Sequence, residues 1–561
     1  MDIRQIIKET INKSLTKLSL RTESVLLEHP NDIDHGDYSS NVAMVLANDI
    51  SENPRQLAEK IVSEIEKDLP KEIEKVEIAG PGFINFYLSS DFFLESLQEI
   101  KKVGNKYGQN ETLKGKKLII EHSQPNPFKE FHIGHLVNNI IGESLSRVIR
   151  QQGADLKVVS YHGDVGLHVA QAIWAIVKKE LPSETVVDLG KAYALGAKAY
   201  ANDEQAKKEI TDINKKIYTE SDQEISKIHK LGREISLEHF EEIFTRLGSK
   251  FDHRFLESQS ALVGKKIVLD NVGKVFEESQ GAIIFPEAHS GLHTRVFLTS
   301  EGIAPYEAKD LGLIKLKRDY FLFDLSINIV DVEQGEYFKV VNCAAEQVSP
   351  DLKGKLLHIP HGRLRLTTGR MSSRDGNILS GEDVLNRLTS LALERMQDRE
   401  IDNREEVAEK VAIAAIKYAV LRQTAGKNIV FDEDKSLSFE GDSGPYLQYS
   451  LVRARAVLAK AKKEDLLAKL SETPVSGVGN LEREVYKFPE IVLKCLEDWS
   501  THHMVTYLTE LSSVFNTFYA NERIVEKNDP DCPYRVALTE CFEQVMVNGL
   551  NILGIPDLKE M

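Results

Sequence analysis

A chain of 561 residues with a formal net charge of −16 can bury several cores, and it is too acidic to be coated generally by nucleic acid, although a local basic groove stays open. Its four cysteines (Cys343, Cys495, Cys532 and Cys541) lie far apart or without metal-ligand spacing, which points away from a disulfide framework and from a zinc site. No apolar run approaches the length of a membrane span, and the start of the chain alternates Ile3, Ile7, Ile11 and Leu15 with charges instead of forming a signal-peptide core. The expectation is a reduced, soluble, cytoplasmic protein.

Residues 1 to about 110 read as a separate α+β module. Helical periodicity covers Ile3 to Leu18, Val42 to Asn48 and Pro54 to Leu69. Val76 to Ala79 and Phe83 to Leu88 read as strands around the turn Gly80-Pro81-Gly82. Between the first two helices lies His35-Gly36-Asp37-Tyr38, which is better taken as an ordinary capped turn than as a catalytic motif.

The next stretch, Lys116 to Tyr161, carries the strongest pattern. Leu118, Ile119 and Ile120 form a short buried strand, stopped by Ser123, Pro125, Asn126 and Pro127. Leu136, Ile140, Ile141, Leu145, Val148 and Ile149 then recur at helical spacing, Gly153 ends the helix, and Leu156 to Tyr161 is the next strand. This βαβ unit predicts an α/β fold with a parallel sheet and a right-handed crossover. His132-Ile133-Gly134-His135 falls at its strand-to-helix turn, where free backbone N–H groups favour an anion. Gly134 permits close approach of a flat ligand, and both imidazoles can donate to phosphate. After the second strand, Gly163, Asp164 and Gly166 suit a nucleotide ribose or phosphate.

From about Asp188 to His253 the chain is helical and charged. Lys266 to Leu269, Gly281 to Phe285 and Thr294 to Leu298 are short β-like runs. Tyr320 to Val330 is strand-forming and places Gln334 at a strand end, in a second half of the sheet. The loop Gly369 to Asn377, with Arg370 and Arg374 among small residues, is either a lid over phosphates or an exposed hairpin tip. The remainder, from about 390 to 561, reads as helical.

In sequence order these motifs resemble arginyl-tRNA synthetase, a class I aminoacyl-tRNA synthetase. Ser123 to Leu136 is similar to the family's extended HIGH signature, and Arg370-Met371-Ser372-Ser373-Arg374 to its degenerate KMSKS loop. Ser438 to Tyr449 resembles the entry to an all-helical anticodon-binding domain, and His35 to Ala43 an N-terminal domain that contacts the tRNA elbow.

The resemblance implies a Rossmann-like parallel-sheet catalytic domain over 111–390 with an insertion at about 188–300. Around it would lie an α+β domain over 1–110, a linking helical segment over 391–440 and an all-α domain over 441–561. The implied activity is ATP-dependent formation of arginyl-adenylate and transfer to the terminal ribose of tRNA(Arg), by a monomer with no structural metal and with Mg²⁺ arriving on ATP. Glu121, Asn126, Tyr306, Asp310 and Gln334 match the family's arginine-binding positions. Their chemistry suits a flat, always-charged guanidinium, which calls for carboxylates and an aromatic face. Lys129, three residues before the first HIGH histidine, replaces the triphosphate cation that is lost where Ser373 stands for lysine. Tyr446, Gln448 and Arg453 are the anticodon-side candidates. Val137, Val165 and Tyr337 depart from residues frequent in the family. The rival readings are a synthetase for another amino acid, a small HIGH-type nucleotidyltransferase, or a non-catalytic relative that binds tRNA or senses arginine.

Overall fold

The computed structural model describes residues 2–286, 291–367, 380–397, 402–470, 474 and 477–561. The chain opens with helix α1 (Ile3–Lys17), strand β1 (Tyr38–Ser40), α2 (Val42–Ile50), α3 (Pro54–Glu66), β2 (Ile73–Ala79), β3 (Phe83–Leu88) and α4 (Ser90–Val103). Every fourth residue of α1, from Ile3 through Ile7 and Ile11 to Leu15, is buried, so one stripe faces the core of this region. The strands form an antiparallel sheet in the order β1-β3-β2.

The central elements are β4 (Lys117–Glu121), α5 (Ile133–Gln151), β5 (Asp155–His162), α6 (Leu167–Lys179), α7 (Val186–Asn202), α8 (Glu204–Thr219), α9 (Gln223–Arg246), β6 (His253–Leu256) and α10 (Glu257–Asp270). A small antiparallel sheet follows, made of β7 (Glu277–Ser279), β8 (Ala282–Phe285) and β9 (Arg295–Leu298). Then come α11 (Tyr306–Tyr320), β10 (Leu325–Asp331), α12 (Gly335–Val348), β11 (Leu356–His361), β12 (Leu364–Leu366), α13 (Gly381–Arg395), α14 (Arg404–Leu421), β13 (Ile429–Phe431) and α15 (Glu433–Ser436). Helices α16 (Gly444–Lys463), α17 (Asn480–Val485), α18 (Phe488–Glu497), α19 (His502–Asn521) and α20 (Cys532–Leu553) complete the chain.

Five strands make one parallel sheet in the order β11-β10-β4-β5-β6. The chain enters at β4, moves to one side through β5 and β6, then crosses to β10 on the other side. The order therefore reverses between β4 and β10, where sheets of this kind leave a crevice at the strands' carboxyl ends. Glu121 and Asn328 are register partners across that point.

Two expected strands are corrected. Lys266 to Leu269 is part of α10, with Val268 fully buried in a helix stripe. A four-residue apolar run is too short for periodicity to tell strand from helix. The strand expected from Tyr320 begins only at Leu325, because Tyr320 is the last residue of α11.

The chain divides into two units. One comprises residues 1–107, 450–490 and 510–548, and the other 108–449, 491–509 and 549–561. In the first, the motif His35 to Tyr38 is structural. The Asp37 carboxylate accepts from the Leu88 amide at 2.8 Å and pairs with Arg483, while the Tyr38 hydroxyl donates to Glu490. In the second, the last residues of the chain lie against α5, where the Ser144 hydroxyl donates to the Ile552 carbonyl at 3.0 Å.

Candidate active site

Beyond Glu121 the chain turns through two non-glycine residues in the left-handed region, Ser123 (φ 59°) and Phe128 (φ 66°). Such conformations cost of order 1–3 kcal/mol each and persist only where surrounding contacts hold them. Here the contacts are specific. The Ser123 amide donates to Asn138 Oδ1 at 2.6 Å, Asn139 Nδ2 donates to Ser123 Oγ at 2.9 Å, and the Phe128 amide donates to Ser236 Oγ at 3.0 Å. The His162 ring bonds the Pro125 carbonyl at 2.9 Å. The segment between β4 and α5 is thus fixed before any ligand arrives.

His132 caps α5. Its Nδ1 accepts from the backbone N–H of Gly134 at 3.1 Å and of His135 at 3.4 Å, and His135 Nδ1 accepts from the His132 N–H at 3.3 Å. A backbone N–H can only donate, so both Nδ1 atoms carry lone pairs and both protons sit on Nε2. The two rings stack with centroids 3.4 Å apart. Burial pushes His132 down to about 4, and burial with the neighbouring His132 pushes His135 well below its ordinary value. At neutral pH the turn therefore presents two neutral imidazoles, each with an Nε2–H donor. A Cβ at Gly134 would lie 3.1 Å from the His132 ring and would press on the cap. Lys129 supplies the positive charge: its ammonium sits over the Tyr193 ring at 4.5 Å, and its field contributes to lowering both histidines.

The acids meet at the sheet's reversal point. Glu121, 2% exposed, pairs with Lys317, 1% exposed, and its Oε1 accepts from Gln124 Nε2 at 2.9 Å. Asp310 is partly buried on α11 and takes a hydrogen bond from the Tyr337 hydroxyl. Burial raises the Asp310 carboxyl to about 7; the Tyr337 bond opposes this and the charge on Glu121 adds to it, so the two acids share one environment. Beside them Lys309 Nζ bonds Glu257 Oε2 at 2.6 Å, both nearly buried, and the ring of Tyr306, itself 63% exposed, lies 5.2 Å from that ammonium. Asn126 and Glu257 close over Gly163, where any Cβ would collide with the Asn126 side-chain oxygen. Gln334 is exposed in the short turn after β10.

Lys317, Tyr337, Glu257 and Lys309 are functional candidates that sequence reasoning passed over or read only as a departure. A signal existed for Lys317, which lies two helical turns after Asp310 on the same face of α11.

Two of the expected site residues have their side chains engaged within the protein. Asp164 does not present a free carboxylate for a nucleotide. It is fully buried and accepts from the Ser258 amide at 2.9 Å, the Ser258 hydroxyl at 2.8 Å and Arg233 at 3.2 Å, tying the end of β5 to α10 and α9. Gly166, with φ 119°, starts α6 next to it. Gln448 is also fully buried, donating to the carbonyls of Lys410 at 3.3 Å and Pro556 at 2.7 Å, so it has no surface for an RNA base. Tyr446 is half-buried, and Arg453 bonds Asn516 Oδ1 at 2.5 Å with its guanidinium 4.8 Å from the Tyr519 ring. Arg370, Met371, Ser372, Ser373 and Arg374 lie outside the described residues. The chain after them is anchored to the histidine turn, for the Gly381 amide donates to the Phe131 carbonyl at 2.6 Å. Among the described residues no group of three His, Cys, Asp or Glu side chains is placed to hold a metal ion, and no helix is long and apolar enough to cross a membrane.

The family model described as "tRNA synthetases class I (R), catalytic domain" matches residues 96–433, more than half of the chain. The chain belongs to the arginyl-tRNA synthetase family. The family's N-terminal domain matches residues 1–88 of the synthetase, and the DALR anticodon binding domain matches 447–561. It is 30% identical to the arginine-tRNA ligase of Fusobacterium nucleatum over 94% of its own length and 93% of that protein. It is 27% identical to the arginine-tRNA ligase of Borrelia hermsii over 100% and 99%. The fold is that of the Thermus thermophilus arginyl-tRNA synthetase, with a TM-score of 0.81, 24% identity and both chains covered in full. The Plasmodium falciparum enzyme gives a TM-score of 0.81 at 21% identity, covering 100% of this chain and 99% of that one.

Proposed function

We propose that the two sites just described divide the work of an arginine-tRNA ligase. The synthetase joins arginine to tRNA using ATP. In the first step an arginine carboxylate oxygen attacks the α-phosphorus of ATP, the bond to the β-phosphate oxygen breaks and pyrophosphate leaves. In the second, a hydroxyl of the terminal tRNA ribose attacks the arginyl carbonyl and AMP leaves.

No side chain need form a covalent intermediate, since phosphoryl chemistry of this kind is driven by positioning and charge stabilisation. His132 and His135 donate their Nε2–H groups to phosphate oxygens, and Lys129 supplies a full charge beside them. Arg370 and Arg374, with Met371, Ser372 and Ser373, close on the pyrophosphate, and Mg²⁺ enters with ATP. Glu121 and Asp310 hold the guanidinium, Tyr306 covers it, and Asn126 and Gln334 take the α-amino acid end. Tyr446 and Arg453 face the anticodon, and residues 1–110 the tRNA elbow. These roles divide the chain into working parts at 1–110, 111–390, 391–440 and 441–561, acting as a monomer in the cytoplasm.

The observation that carries this reading is a pair of tautomer-locked neutral imidazoles at the start of α5, with Lys129 beside them, buried Glu121 at the end of the adjoining strand and Asp310 on α11 within its electrostatic reach. Arginine-dependent ATP–pyrophosphate exchange tests it. His135→Ala should slow exchange by roughly 10²–10³-fold, the loss of one preorganised donor being about 2–4 kcal/mol, while arginine KM stays near wild type. Asp310→Asn should do the reverse. A His135→Ala rate within about threefold of wild type would end the assignment. Charging of total tRNA with each amino acid separates this reading from a synthetase of other specificity or a non-catalytic relative.

A further inference from the structure

Lys317 takes no part in the chemistry just described, yet it is one of the most deeply buried charges in the chain. It reaches from α11 to the carboxyl end of β4 and the middle of β10, the strands on either side of the reversal point. Its ammonium pairs with Glu121 of β4 and donates to Asn328 Oδ1 of β10 at 2.7 Å, and these two partners face each other in register. Taking an ammonium out of water costs several kcal/mol unless it is paired and hydrogen-bonded, so three polar groups are matched here to hold one another. Two carboxyls lie within reach of Lys317: Glu121 pairs with it, and its charge pulls down the Asp310 carboxyl that the charge on Glu121 pushes up.

We propose that Lys317 is a positioning residue for arginine specificity: it pairs with the Glu121 carboxyl and fixes its orientation near Asp310, so that one internal cation stands against two acids and the site is matched to a substrate bringing a single planar positive charge. This rests on the reading that Glu121 and Asp310 hold the guanidinium. A simple strand-pinning role would make Lys317 necessary for folding but indifferent to the protonation of the pocket.

Exchange kinetics of Lys317→Met, which keeps the length and loses the charge, test the two between pH 6.5 and 8.5. Arginine KM should rise at least tenfold at pH 7, with ATP KM and kcat within about threefold of wild type. The deficit should shrink as pH rises, because Asp310, already raised by burial, loses the lysine charge that pulls it down and so retains more of the proton that arginine must displace. A KM within threefold of wild type, or a deficit equal at every pH, overturns the proposal. If Lys317→Met does not fold, Lys317→Met/Glu121→Gln, which removes both charges, decides. An arginine KM no worse than that of Glu121→Gln alone shows that Lys317 acts through Glu121, and a distinctly worse one overturns it. The underlying reading fails separately: Glu121→Gln and Asp310→Asn would then leave arginine KM unmoved.

Discussion

Asp310 is the residue whose environment makes the most direct demand on behaviour. Burial lifts its carboxyl to about 7, whereas an exposed aspartate ionises near 4. The folded state therefore binds a proton that the unfolded chain has already released, so this group withdraws stability as pH rises from about 4 to about 7. Arginine, by pairing with the ionised form, should restore what is lost and should bind more tightly as pH rises through 7. Thermal melts at pH 6 and pH 8, with and without arginine, are expected to show a larger arginine-induced rise in Tm at pH 8, a difference that Asp310→Asn should abolish. Both acids were named from the family's motifs, which alone separate them from ordinary surface acids, and guanidinium chemistry agrees with the residue types. Lys317 was not, since a lysine two turns along a helix reads as solvated until β10 is known to cover it. Asp164 misled for the converse reason: a small acid at a strand end suits a ligand, and the group that occupies it, Ser258, lies far along the chain on α10.

Helix α5 was readable nearly to its ends from apolar spacing and Gly153, but what grips it was not. Arg147 of α5 donates to the carbonyls of Asn551 at 2.8 Å and Gly248 at 2.9 Å, and Lys417 of α14 donates to those of Leu247 and Gly554, each at 2.6 Å. These carbonyls lie in or just beyond the last turns of α9 and α20, the electronegative ends of two helices, so two cations clamp them beside the helix that begins at His132. Periodicity cannot reveal this, because the partners are carbonyls and every residue has one. Burial, with Arg147 nearby, lowers the Lys417 ammonium to about 7. Its folded value lies below its unfolded one, so protonation opposes folding at and below pH 7, and that penalty fades as pH rises towards 10. Lys417→Met strips two buried carbonyls of their donor, a loss of about 2 kcal/mol. Since the variant also escapes the charge penalty, the loss should be largest near pH 9 and smaller at pH 7 in urea unfolding. An equal loss at both would mean the lysine is charged throughout.

At the scale of the whole molecule, chain order and spatial order part company: each unit is assembled from three separated stretches. In the unit containing the N-terminal module, the connection runs through two acid-centred contacts. Asp37, bonded to the Leu88 amide of β3, pairs with Arg483 of α17, whose guanidinium lies 4.9 Å from the Phe93 ring of α4. Glu490 of α18 accepts from Tyr38 and lies 3.2 Å from His29 Nε2. The sequence marked His35 to Tyr38 as a turn within an N-terminal domain and gave no sign of these contacts, because Arg483 and Glu490 lie more than four hundred residues away. If the module were an autonomous domain, Asp37→Ala would loosen only the local turn. If the contacts make residues 1–107 and 450–490 one cooperative body, removing Asp37 strands a largely buried guanidinium and should cost about 3 kcal/mol. Amide exchange distinguishes these outcomes. Protection should fall together in β2, β3, α4 and α17, while Leu118 to Ile120 of β4, in the other unit, keep theirs, and Asp37→Ala/Arg483→Met should recover part of the loss by removing the stranded charge. Protection lost in the turn alone, with α17 unchanged, would make the N-terminal module independent of the helices it touches.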